Sequence, residues 1–188
     1  SFTLDKGASM GLVGESGCGK TSIAATILKL LPENAEIKGG HVFLDGTDLA
    51  PMSESEIRHV RWRRISMVFQ AAMNSLNPVY KVGDQIVEAL ETHLPQLSAQ
   101  ENRKRVEDLF RLVGLDPKLA DQYPHEYSGG MRQRAVIAMA LACHPDLIIA
   151  DEPTTALDVI VQDSLLREMT ELQKQLGMAM IYISHDIA

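Results

Sequence analysis

The chain has 188 residues, enough to bury a real core and suited to one domain or a domain with an inserted lobe. With 25 acidic against 18 basic residues its net charge is -7, which disfavours a nucleic-acid-binding surface. Cys18 and Cys143 lie far apart without CxxC spacing, which fits a reduced setting with neither zinc site nor disulfide framework, and the longest wholly apolar run, 135–143, is less than half the roughly 20 residues a membrane helix needs.

Residues 8–13 read as a short buried strand running into glycines, and 20–31 as a helix stopped by Pro32. Residues 41–44 lead into the Asp45-Gly46 turn as a hairpin strand. Ser53 caps a charged helix over 54–64, on which Arg58, Arg61, Arg63 and Arg64 read as a solvated face. Residues 65–69 form an apolar strand ending at Gln70. From 71 to 144 helical patterns dominate, at 82–93, 99–113 and 131–143, and this stretch reads as an inserted lobe. A buried strand at 147–150, a helix at 159–175 and a strand at 179–183 complete an α/β core with a parallel sheet.

Gly14-Glu15-Ser16-Gly17-Cys18-Gly19-Lys20-Thr21 fits the GxxxxGK[ST] phosphate loop, between the strand and helix the motif requires. Backbone N–H groups cradle phosphate oxygens, Lys20 adds charge toward the β- and γ-phosphates, and the Thr21 hydroxyl suits Mg2+. Charge-assisted bonds contribute roughly 1.5 to 3 kcal/mol each, so several together hold a triphosphate. Asp151 and Glu152 follow Leu147-Ile148-Ile149-Ala150 at the carboxyl end of a strand, where open α/β sheets bind ligands. Asp151 suits the metal and Glu152 the activation of water. Gln70 ends a neighbouring strand, where its amide suits Mg2+ or the attacking water, and His185 follows the last strand, where it suits a γ-phosphate oxygen. His41, His59, His93, His125 and His144 show no metal spacing and read as surface residues. Cys18 has two readings, a small space-filling residue or a thiol activated by the helix start and Lys20.

Tyr127-Ser128-Gly129-Gly130-Met131-Arg132-Gln133-Arg134 opens a helical segment with paired glycines and Ser128 as its N-cap. Taken alone, it is either a capped helix after a glycine turn or an anion site on free N–H groups and the positive end of the helix dipole.

The ordered set GESGCGKT, Gln70, YSGGMRQR, LIIADE, Thr155-Ala156-Leu157-Asp158 and His185 resembles ABC-type ATPase domains over nearly the whole chain. The strings GLVGESGCGKT, ISMVFQAAMNSLNP, VGDQI, HEYSGGMRQRAVIAMALA and ADEPTTALDV are similar to the peptide/nickel importer subfamily, and to its D-type ATPase subunit more than to the F-type. The resemblance implies a P-loop NTPase (RecA-like) core over 1–70 and 145–188, with a small antiparallel β element and an inserted α-helical subdomain over 71–144. It implies ATP and Mg2+ as cofactors, and a head-to-tail pair with a second ATPase subunit, F-type or identical. Ser128, Gly129 and Gly130 would then cover the ATP of the partner, and Asp158 would link the two sites.

On the same resemblance, the segment after Gln70, through Pro78, would face a transmembrane permease at the cytoplasmic face of the membrane, with a solute-binding protein engaged indirectly and no nucleic acid. Peptides come first as cargo, with nickel complexes and oligosaccharides as alternatives. Against the general LSGGQ pattern, Tyr127 replaces Leu and Met131 replaces Gln. The start at Ser1-Phe2-Thr3-Leu4 has no initiator Met or targeting segment, and the adenine-stacking aromatic and the strands expected after His185 lie outside the chain, which reads as truncated at both ends. The rivals are a non-transport ABC ATPase of DNA-repair or chromosome-organising type and a small-molecule P-loop kinase, which leaves YSGGMRQR without a role.

Overall fold

Alternating apolar strands and amphipathic helices assemble into a parallel sheet with helices on both faces. The computed structural model describes residues 1–69, 75–154 and 159–185. In chain order the elements are β1 (Ser9–Val13), α1 (Lys20–Ile27), β2 (Phe43–Leu44), β3 (Thr47–Asp48), α2 (Glu54–Val60), β4 (Ile65–Val68), α3 (Val82–His93), α4 (Ala99–Leu112), α5 (Gly129–Leu141), β5 (Leu147–Asp151), α6 (Val159–Leu176) and β6 (Ala179–Ser184). Two 3-10 turns, Pro117–Asp121 and Pro124–Glu126, lie between α4 and α5.

The sheet order is β1-β6-β5-β4, all parallel, and β2 and β3 form a separate antiparallel pair. Period-two alternation sorts the strand side chains to two cores. On one face, Val68, Ile148, Ala150 and Met180 join α3, α4, α5 and α6 around the fully buried Phe110. On the other, Ile65, Ile149, Ile181 and Ile183 pack with Ala24 and Leu28 of the α1 region and Ile57 of α2. Cys143 belongs to the first core, where burial pushes its thiol up to about 11.

Several features differ from the sequence reading. The helix expected over 54–64 stops at Val60, because Arg61 leaves the helical region at ψ 136° and Trp62 turns left-handed at φ 68°. Strand β1 is not buried: Ser9, Gly11 and Val13, which alternate onto one face, are exposed, and Met10 and Leu12 are half-buried. Helix α1 ends at Ile27, ahead of Pro32, because Lys29 turns left-handed at φ 51°. Leu30 N–H then donates to Ala25 O and Lys29 N–H to Thr26 O, the Schellman pattern. A lysine stands where glycine is usual, and its ammonium reaches the Ala50 and Met52 carbonyls.

The arginine cluster is a further difference. Arg61 donates from Nε to Leu28 O and from Nη2 to Lys29 O, both at 2.8 Å, so it satisfies carbonyls at the end of α1. Arg64 bridges Asp45 and Asp146, which tethers the hairpin turn to the start of β5. Only Arg58 and Arg63 match the expected solvated face.

Candidate functional site

Register places the chemistry on one edge. Val13 pairs with Ser184, and Asp151 with Ile183, so the strand ends that carry the phosphate loop, His185 and the Asp151-Glu152 pair align at the carboxyl side of the sheet. Val68 pairs with Ala150, so β4 ends there too. Gln70, expected to follow β4, and Asp158, expected before α6, lie outside the described residues.

The loop after β1 needs its glycines. Gly17 and Gly19 have φ 81° and 99°, and a side chain on Gly14 would stand 2.9 Å from Cys18 Sγ. Gly19 caps α1 in a left-handed conformation with no side-chain hydrogen bond, which leaves the first-turn N–H groups of Lys20, Thr21 and Ser22 to an anion. Lys20 is buried, and its ammonium donates to Gly14 O at 2.7 Å and Glu15 O at 2.8 Å. Glu15, Ser16, Gly17 and Cys18 are exposed, and the Cys18 sulfur lies 3.8 Å from Lys20 Nζ.

Asp151 is 1% exposed, and burial raises its pKa above the usual carboxylate value; the Thr21 hydroxyl, which donates to it, and the Lys20 charge oppose this, while the Glu152 charge adds to it. Its Oδ2 is buried without a hydrogen-bond partner among the described residues. A buried carboxylate oxygen short of a partner, beside a hydroxyl on the same edge, fits a divalent cation that takes oxygen ligands.

Glu152 holds φ 48°, an unfavourable conformation for a residue with a side chain, and its N–H donates to Ile183 O at 3.0 Å. Its Oε1 lies 2.8 Å from His185 Nδ1. Ser128 caps α5 by accepting the Met131 N–H at 3.3 Å, with Ser128 and Gly129 exposed and Gly130 half-buried. Tyr127 is buried, with its hydroxyl on Leu119 O at 2.6 Å and its pKa driven upward by burial and the Glu126 charge.

Sequence reasoning gave Gln133 and Gln162 no role, yet Gln133 Nε2 donates to Pro153 O at 2.6 Å and Gln162 Nε2 to Thr154 O at 3.1 Å. Nothing along the chain marks either glutamine, because the backbone carbonyls they meet are brought close only by folding. A groove of about 620 Å³ also runs between the β4 edge and α3, with Trp62, Met67, Phe69, Gln85, Ala89 and His93 in its lining. The His93 ring stacks on Trp62 at 5.5 Å, and its pKa is lowered by burial and by the charges of Arg58, Arg63 and His59. Among the described residues, no helix is long and apolar enough to cross a membrane.

Residues 1–155 match the family model described as ABC transporter. The chain is 49% identical to the oligopeptide transport ATP-binding protein OppD of Bacillus subtilis (strain 168), over all of this chain and 53% of that protein. It is 47% identical to the dipeptide transport ATP-binding protein DppD of the same organism, again over the whole chain and over 56% of the relative. The chain thus spans about half the length of these curated relatives. A dimeric structure of the ATP-binding cassette MJ0796, in a post-hydrolysis state bound to ADP and Pi, superposes with a TM-score of 0.82 at 27% identity, covering 99% of this chain and 78% of that one. The fold is that of the ABC ATPase cassettes, an α/β P-loop NTPase, and the chain belongs to the ABC transporter family.

Proposed function

We propose that this chain is the ATP-binding and ATP-hydrolysing part of an ABC importer that powers uptake of peptides or related solutes through a membrane permease. The observation that carries the reading is the convergence at the carboxyl end of the sheet of a phosphate loop, a buried carboxylate whose Oδ2 has no hydrogen-bond partner among the described residues, and a second carboxylate paired with a histidine.

The N–H groups of 14–21 and Lys20 bind the phosphates. Thr21 and Asp151, with Gln70, would hold Mg2+, which would supply positive charge to neutralise the phosphate oxygens. Glu152 takes the proton of the attacking water. His185 meets that carboxylate through Nδ1 and, in its doubly protonated form, donates from Nε2 to a γ-phosphate oxygen.

The exposed Ser128 and Gly129, with Gly130, are available to the ATP of a second subunit, F-type or identical, and Asp158 links the sites. The dimeric cassette to which the chain is similar supports that arrangement. We assign the groove beside β4 to the permease, because its apolar lining meets the segment expected to face the transmembrane subunits. The core comprises 1–70 and 145–188 and the helical subdomain 71–144. The subunit then sits peripherally at the cytoplasmic face, where ATP binding favours a closed dimer and hydrolysis reopens it. The peptide transport names of the relatives support peptides as cargo.

The test is ATP turnover by the full-length protein assembled with its permease. Glu152→Gln should lower turnover about 10²- to 10⁴-fold, and Lys20→Ala should weaken nucleotide binding in a titration. Unchanged turnover in the first variant removes Glu152 as the base, and unchanged affinity in the second removes the role of Lys20.

A further inference from the structure

The residues after β5 are held from three directions. Glu152 N–H donates to Ile183 O of β6, Pro153 O accepts Gln133 Nε2 of α5, and Thr154 O accepts Gln162 Nε2 of α6. Pro153 has no N–H, so its carbonyl is its sole backbone hydrogen-bonding group. Gln133 is 2% exposed and makes its bond at 2.6 Å, a short, buried contact on the peptide directly after Glu152. The left-handed Glu152 backbone costs energy and persists only where its surroundings hold it, so the Pro153 anchor bears directly on where the carboxylate points.

Gln133 also lies on the same unbroken helix as Gly129 and Gly130, five residues beyond the Ser128 cap. Five residues of helix span about 7.5 Å. We propose that Gln133 is a positioning residue that ties the signature end of α5 to the Glu152 carboxylate of its own chain. Movement of α5 when Ser128 meets the phosphates of a second subunit is delivered through Gln133 to Pro153. Engagement of a chain's own signature thereby shifts its own carboxylate. The inference rests on the function proposed above for Glu152 and Ser128.

The test uses the full-length protein assembled with its permease and second ATPase subunit. Gln133→Met removes the donor at similar volume, and Gln133→Glu puts an acceptor against the Pro153 carbonyl. Gln133→Met should lower kcat roughly tenfold, the rate equivalent of one lost buried hydrogen bond. Its KM for ATP and ATP-driven pairing, read by cross-linking, should stay within about twofold of wild type, and Gln133→Glu should lower kcat further. A kcat equal to wild type overturns the inference, as does a fall in kcat matched by loss of affinity, pairing or melting temperature, which marks a purely structural role.

Should the variants fold poorly, hydrogen exchange on the unmodified protein decides the matter. ATP-driven pairing should slow exchange at Glu152 and Thr154 together with the first turn of α5, and slowing confined to α5 overturns the coupling. If the unmodified assembly shows no turnover, the ATPase reading itself fails; if it turns over, Glu152→Gln does not and Gln133→Met matches it, this inference alone fails.

Discussion

His185 Nδ1 lies 2.8 Å from Glu152 Oε1, across the boundary between the ends of β6 and β5. The pair joins an exposed imidazole to a carboxylate only 14% exposed, on a residue held at φ 48°. That backbone conformation is one glycine adopts freely and a residue with a Cβ does not. Glu152→Gly should therefore raise stability by about 1 kcal/mol while abolishing turnover. Denaturant unfolding and steady-state ATPase assays on the full-length protein check the two halves together. A glycine variant less stable than wild type would show that the His185 contact outweighs the backbone strain.

Asp151 makes a pH-dependent contribution whose sign follows from its raised pKa. Below the ordinary carboxylate value of 3.8, folded and unfolded chains both carry the proton and ionisation costs nothing. As pH climbs, the unfolded chain releases its proton first, so stability falls until pH passes the folded value and then stays level. Asp151→Asn removes this loss and keeps an acceptor for Thr21. Its melting temperature should exceed that of wild type at neutral pH, and the gap should close in acid. The extra stabilisation that Mg2+ adds to bound nucleotide, measured against a chelator, should vanish in the variant.

Local pattern made most of this architecture legible. The helix over 82–93 was readable to the residue, and the strands over 147–150 and 179–183 each extend one residue further in the structure. The places of the phosphate loop between β1 and α1, of Asp151 at the end of β5 and of Ser128 as the α5 cap were readable because glycine spacing and strand-end position are written along the chain. What was not readable depends on long-range contacts. The end of α1 is decided by Lys29 reaching the carbonyls of Ala50 and Met52, and Arg61 and Arg64 look like surface charges until their partners 33 and 82 positions away are known. Gln133 is a further case: only the folded chain brings Pro153, twenty residues on, to its amide.

Gly83 is required by a close approach inside the helical region. A Cβ there would stand 2.8 Å from Ala120 O and 2.9 Å from Ala120 Cβ, on the 3-10 turn over Pro117–Asp121, and the carbonyl of Gln122 just after that turn accepts the Val82 N–H. Backbone cannot swing aside as a flexible side chain does. Gly83→Ala should destabilise by about 1 to 3 kcal/mol despite its better helix propensity. Chemical denaturation is the measurement, and a stabilised variant would mean that the turn at 117–121 yields without cost.

The two kinds of arginine between α2 and β4 should separate cleanly under substitution. The Arg61 side chain is 18% exposed, donates to the Leu28 and Lys29 carbonyls and pairs with Glu54 at 2.5 Å. Arg63 is exposed. Arg61→Ala leaves carbonyls at the end of α1 without their donor and should cost about 1 to 3 kcal/mol, whereas Arg63→Ala should fall within about 0.5 kcal/mol of wild type. Arg61→Lys should recover only part of the loss, because an ammonium lacks the planar fork that serves both carbonyls and the carboxylate at once. Since α1 carries the phosphate loop at its other end, loosening its anchor should also weaken nucleotide binding. Denaturation midpoints paired with nucleotide titrations for the three variants test both effects, and equal losses for Arg61→Ala and Arg63→Ala would return the cluster to a simple solvated face.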